Sequence, residues 1–330
     1  MFCEDRDCGY ICNEMSKKLY SPRLLLRYAL IGLCAIISAM INVFLINNYR
    51  VSRISSDTSF DVIADSDIAA EFHLSEEYTV DCINGEPSDF DLGSRHSIIS
   101  QQTLDRIIAS NRPYDISLAL IYTKDVNGNY KLYTHKVTTD ISLPNPHRPD
   151  SLFWIHNAEL LIDNTLDHNV LGMDILRHFA VERHFKANKV ILHFKAPETD
   201  YQEVCKLRYH NSLLGSLFGN EINRASVSLI VNDEKPHVYF LDSGQAMRLI
   251  EIVQPERNIA NATGRIETDT VTGLLTQRRC QVKFGNRLRF SKVVYEDNIH
   301  TDRYGINPMK FFNQDCVIDI PGQRLLIRKP

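Results

Sequence analysis

From residue 77 onward the hydrophobic positions come in short runs cut by polar turn residues. The run at 78–83 alternates like a strand and ends at Asn84-Gly85-Glu86-Pro87, a strong turn signal. The apolar spacing at 98–108 predicts a short helix. Two β-rich runs, 116–122 and 130–137, flank Asp125-Val126-Asn127-Gly128-Asn129 and predict a hairpin. Further strands are expected at 152–157 and 159–163, then a short helical patch within 169–176 and a closing strand at 189–194. Short strands with few helices predict an all-β protein.

The same order returns after a linker near 197–223. Strands are expected at 227–231 and 237–241, around the turn Asn232-Asp233-Glu234-Lys235-Pro236. A β-rich middle follows at 270–278 and 280–284. The stretch 304–312 parallels 171–179, and 324–328 parallels the first closing strand. A repeat of this size predicts a duplicated domain, not a solenoid.

The N-terminal pattern is different. No charge occurs from Tyr28 to Ile46, and a helix of that length spans roughly 29 Å, close to the hydrocarbon thickness. Ser38 and Asn42 are mild interruptions. Lys17, Lys18, Arg23 and Arg27 precede the span, while Arg50 and Arg53 follow it. This bias predicts an uncleaved single-pass anchor with a cytoplasmic N-terminus and the rest outside, in a periplasmic, extracellular or lumenal space. A cleaved signal peptide is the alternative, but the run is long for one and no clean small-x-small site follows.

Composition changes this picture little. The chain has 330 residues, 44% hydrophobic and 24% charged, with a net charge of -4, so it is long enough for two ordinary domains and carries no basic stripe for nucleic acid. Histidines gather in 168–193 without the helical spacing of metal ligands, so no metal and no cofactor are expected. Cys3, Cys8 and Cys12 read as reduced cytoplasmic thiols, and Cys34 falls in the span. Cys82, Cys205, Cys280 and Cys316 would form two disulfides or stay as four free buried thiols; the sequence leaves both open.

The candidate chemistry lies in two runs, Phe90-Asp91-Leu92-Gly93-Ser94 and Leu241-Asp242-Ser243-Gly244-Gln245, which occupy the same place in the repeat. Two carboxylates meeting across a seam cannot both ionise easily, so one keeps a proton and the other serves as a base. That chemistry predicts an aspartic peptidase with Asp91 and Asp242 as its dyad. Taken singly, each Asp reads as a cap of its own turn; in register within the repeat, the pair reads as catalytic.

These residues resemble the retropepsin-like aspartic peptidases. In that family each lobe has an inward Asp-Thr/Ser-Gly loop, then a hairpin flap, then an apolar-apolar-Gly turn that braces the loop. Val170-Leu171-Gly172 matches the bracing turn well, and Arg303-Tyr304-Gly305 keeps its Gly. The resemblance covers about 78–330 and implies two closed, barrel-like lobes, retropepsin-like or pepsin-like, behind one transmembrane helix. The implied division is a cytoplasmic N-terminus at 1–22, an anchor at 23–47 and a stalk at 48–75. The first lobe then occupies 76–197, a linker 198–223 and the second lobe 224–330. The implied activity is endopeptidase cleavage of a peptide or protein substrate by Asp91 and Asp242. Gly93, Ser94, Ser243 and Gly244 would support the loops, Leu171, Gly172 and Gly305 would brace them, and the 116–137 hairpin would be the flap. Leu92 stands where the family has a hydroxyl, which implies that one of the two cross-lobe bonds is missing. Gln245 replaces the small residue usual after the Gly. A tethered binding or structural module that keeps the fold without turnover is the alternative function.

Overall fold

The computed structural model describes residues 22–52, 58–61, 67–75, 79–124, 130–148, 150–209, 224–232, 235–244, 249–252, 266–268, 275–296 and 304–329. The chain falls into two compact units, Met1–Arg50 and Val51–Pro330.

The first unit carries helix α1 (Pro22–Ser52). Its window Leu25–Asn42 has a mean hydropathy of 1.8 and no residue of it is buried. It is long and apolar enough to cross a membrane, a test that a signal sequence also passes. Asn42 donates its side-chain amide to the Ser38 carbonyl at 2.9 Å, so this polar residue is satisfied within the helix.

The second unit is mostly strand. Its strands are β1 (Ser59–Phe60), β2 (Ile68–His73), β3 (Thr79–Ile83), β4 (Glu86–Phe90), β5 (Ile98–Ser100), β6 (Tyr114–Lys124), β7 (Tyr130–Pro144), β8 (Leu152–Asp163), β9 (Asn169–Leu171), β10 (Ala180–His184) and β11 (Lys189–His193). They continue with β12 (Tyr201–Lys206), β13 (Arg208–Tyr209), β14 (Ala225–Val231), β15 (His237–Leu241), β16 (Leu249–Ile252), β17 (Ile266–Thr268), β18 (Leu275–Phe284), β19 (Arg287–Glu296), β20 (Tyr304–Ile306), β21 (Cys316–Asp319) and β22 (Arg324–Arg328). Helices α2 (Gln101–Ala109), α3 (Met173–Leu176) and α4 (Pro308–Phe311) are short.

Three sheets result. The first runs β3-β4-β9-β5-β8-β7-β6, with β1 added on β8. The third runs β13-β14-β15-β20-β16-β19-β18-β17, with a further pairing of β14 and β18. Between them in the chain's economy stands β12-β22-β21-β10-β11-β2, which draws strands from both ends of the unit. The same pairings recur in the first and third sheets. β4 pairs parallel to β9, β9 antiparallel to β5, and β5 parallel to β8. β15 pairs parallel to β20, β20 antiparallel to β16, and β16 parallel to β19. The closed, barrel-like lobes expected from the sequence are not found among the described residues. The first sheet ends on β3 and β6 with no ladder joining them; in the third, the two-residue β14–β18 ladder links the strands next to its ends, while β13 and β17 do not pair.

Local chemistry explains most elements. Asn84 and Gly85 take φ of +56° and +76°, the left-handed pair that joins β3 to β4 tightly. Ser100 caps α2 by accepting from the Thr103 N–H, and Thr103, Leu104 and Ile107 form its buried face. The 98–108 segment is therefore not all helix. Its first three residues are β5, fully buried and paired with β8 and β9. The expected break at residue 158 is a bend within one strand, β8, where Asn157 takes φ of +53°. Arg279 plays the same part in β18, with φ of +60° beside a register shift.

Two segments differ from their expected roles. Within the presumed stalk, β2 pairs with β11 and buries Ala69, Ala70 and Phe72. Phe60, in the same presumed stalk, packs on Phe153, Phe179 and Phe194 with ring centroids 5.4–6.3 Å apart. Phe60 is only half-buried, so its ring contributes less than the roughly 1.5–3 kcal/mol of a fully buried one, but it still ties this short strand to the body. Within the presumed linker, β12 pairs with β22, and the buried Tyr201 hydroxyl donates to Glu182 at 2.5 Å. Among the described residues, Cys82, Cys205, Cys280 and Cys316 form no disulfide. Burial pushes the Cys82 and Cys316 thiols up to about 12 and Cys205 to about 11, which keeps them protonated. Cys3, Cys8 and Cys12 lie outside the described residues.

Candidate active site

Each candidate Asp follows a strand that is clamped by a parallel partner. β4 delivers Asp91, with Phe90 level with Leu171, and the Asp91 N–H donates to the Leu171 carbonyl at 3.0 Å. β15 delivers Asp242, with Leu241 level with Ile306, and the Asp242 N–H donates to the Ile306 carbonyl at 2.9 Å. Both loops are thus held by the same backbone bond.

The loops then meet face to face. A Cβ placed on Gly93 would lie 2.5 Å from Cγ of Asp242, and one on Gly244 would lie 2.9 Å from Cγ of Asp91. Each carboxylate packs against the other loop's glycine, and a side chain at either glycine would displace it. The Asp91 Oδ1 accepts from the Gly93 N–H at 2.7 Å and from the Gly244 N–H at 3.2 Å. Burial, and then the Asp242 charge across the seam, push the Asp91 carboxyl up to about 7; the two N–H donors oppose that rise.

Ser243 supplies two further bonds between the loops. Its hydroxyl donates to the Phe90 carbonyl at 2.5 Å and accepts from the Leu92 N–H at 2.8 Å. Leu92 has no hydroxyl to return the bond and is fully buried in the apolar core. Among the described residues, the hydroxyl bonds across the seam come from Ser243.

Bracing differs between the halves. Ser94 donates its hydroxyl to the His96 carbonyl at 2.8 Å, and its own carbonyl accepts from the Met173 N–H at 2.8 Å. A Cβ on Gly172 would lie 2.5 Å from the carbonyl carbon and oxygen of His96, so only glycine lets Leu171-Gly172 press on the first loop. Behind it, Asp174 accepts from the Ser97 N–H at 2.9 Å and the Ser97 hydroxyl at 2.7 Å. Burial raises the Asp174 carboxyl, and the Ser97 bonds oppose that. Sequence reasoning assigned no role to Ser97 or Asp174.

Gly305 does not occupy the expected position. It lies inside β20, and since Phe90–Leu171 corresponds to Leu241–Ile306, the residue in register with Gly172 is Asn307. Asn307 is fully buried, and its side-chain amide donates to the Ser243 carbonyl at 3.0 Å. Its Oδ1 accepts from the N–H groups of Met309 and Lys310, capping α4. The Asn-Pro pair at a helix start was the available signal. The expected hairpin is formed by β6 and β7; its tip at 125–129 lies outside the described residues, as does Gln245. Among the described residues no cluster of His, Cys, Asp or Glu could hold a metal ion.

No family model matches the chain, and no curated protein matches it. Among solved structures, the crystal structure of basic 7S globulin from soybean is similar at a TM-score of 0.49 and 9% identity, over 79% of this chain and 94% of that one.

Proposed function

We propose that this chain is a membrane-anchored aspartic endopeptidase of retropepsin-like type, with Asp91 and Asp242 as its dyad. The observation that carries the reading is the mutual packing of the two loops, each carboxylate set against the other's glycine. The raised Asp91 carboxyl supports it, because a group poised near neutrality can hold the shared proton. The recurrence of one pairing order in the first and third sheets supports the further reading that 76–197 and 224–330 are duplicated lobes.

In this mechanism a water lies between the carboxylates. The ionised partner takes its proton as the oxygen attacks the peptide carbonyl. The protonated partner hydrogen-bonds that carbonyl oxygen and then protonates the leaving nitrogen. No metal or cofactor is required. The two protons of the dyad leave in two macroscopic steps. Since the carboxyl at Asp91 is pushed up to about 7, the second proton is lost as pH rises through that value. Cleavage of a peptide library by the full chain in detergent should therefore peak below pH 7 and decline above it. An inhibitor mimicking the tetrahedral intermediate should bind over the same range. Absence of both cleavage and inhibitor binding would leave the tethered, non-catalytic module as the function.

The charge bias around α1 supports an anchor with 76–330 outside the cytoplasm. In sealed vesicles, protease added from the non-cytoplasmic side should digest 76–330. Digestion from the cytoplasmic side alone would reverse the topology.

A further inference from the structure

We infer that the side-chain amide of Asn307 is a positioning group that aims the Gly244 N–H at the Asp91 carboxylate, an inference that rests on the dyad reading. The carbonyl of Ser243 and the N–H of Gly244 belong to the same planar trans peptide, so they point in opposite directions. Asn307 holds the carbonyl end at 3.0 Å. The N–H end donates to Asp91 Oδ1 at 3.2 Å. Fixing one end of a rigid plane fixes the other.

The two halves therefore solve the same problem with different chemistry. In the first half the bracing residue is Gly172, pressed so tightly on the His96 and Ser97 backbone that no side chain fits. In the second half the same register position holds an asparagine. Its oxygen is committed to the start of α4, where it accepts from Met309 and Lys310. Its nitrogen reaches the catalytic loop. The full burial of Asn307 makes this split firm, because solvent cannot replace either bond.

The charged groups facing Asp91 are Asp242 across the seam and Asp89 on β4, both of which disfavour its ionised form. The Gly93 and Gly244 N–H groups are the donors that favour it. Asn307 thus controls one of the two donors that hold the dyad's ionisation in its working range.

Asn307→Ser tests this, because serine keeps a cap acceptor for α4 and deletes the amide without adding charge. Asn307→Thr is a second variant of the same kind. In the full chain with ¹³C-labelled Asp carboxyls, the Asp91 titration should move up by about one pH unit in these variants. The alkaline limb of peptide cleavage should move with it, with kcat lowered and KM nearly unchanged. An unmoved Asp91 titration in folded variants would overturn the inference and reduce Asn307 to a helix cap. A moved titration in a chain that never cleaves peptide would instead sink the peptidase reading and keep the role of Asn307.

Discussion

Asp91→Asn should abolish peptide cleavage and, above pH 7, raise the unfolding temperature. The loss of activity follows because an amide neither shares the dyad's proton nor returns it to the leaving nitrogen. General acid–base groups contribute roughly 10²–10⁴-fold, so a loss of at least that size is expected, and Asp242→Asn should match it. The gain in stability has a separate cause. The folded state holds the Asp91 carboxyl near 7, well above its ordinary range, because the seam is desolvated and Asp242 is close. Between the ordinary and the raised value the folded chain binds more protons than the unfolded one. Stability therefore falls as pH rises through that window and stays reduced above it. The amide carries no such penalty and can still accept from Gly93 and Gly244 through its oxygen. A rise of at least about 3 °C at pH 8, vanishing below about pH 4, is the result expected by calorimetry. Near wild-type turnover in either variant would end the shared-proton mechanism.

Ser243→Ala should be the most damaging single change to the seam. It removes the hydroxyl that joins Phe90 and Leu92 and leaves a buried carbonyl and a buried N–H without it. Each buried group stripped of its partner costs about 1–3 kcal/mol, so a loss of about 2–5 kcal/mol is expected in denaturant unfolding. Ser243→Thr should recover most of it, because the hydroxyl returns. The reciprocal change, Leu92→Thr, deletes apolar volume at a fully buried site but offers a hydroxyl to the facing loop. Its cost should be smaller than that of Ser243→Ala. The reverse ranking would mean that the apolar packing lost at Leu92 outweighs the two Ser243 bonds.

Much of this architecture was legible in the sequence because it depends on neighbours. Asn84-Gly85 specified its turn through left-handed φ angles that few other pairs adopt easily. The hairpin of β6 and β7 is legible in two β-rich runs flanking the sequence Asn127-Gly128. The apolar stretch of α1 needed only its length and lack of charge. The two Asp-x-Gly runs stood out because each closes a short apolar run that reads as a strand.

What the sequence could not determine lies in contacts between distant segments. Strand β2 looked like polar stalk because its short alternation acquires meaning only against β11, more than a hundred residues away. β12 was read as linker for the same reason, its partner being β22. The apolar-apolar-Gly pattern points to Gly305 because only the residue type is visible in the sequence. Pairing register alone shows that Asn307 stands level with Gly172. The Ser243 bond to Phe90 and Leu92 crosses about 150 positions of chain, so no local preference encodes it. Turn chemistry and periodicity act over a few residues and were decided by the sequence itself. Register, close approach of backbones and the desolvation that raises Asp91 arise only when those pieces pack, and the tertiary structure alone decided them.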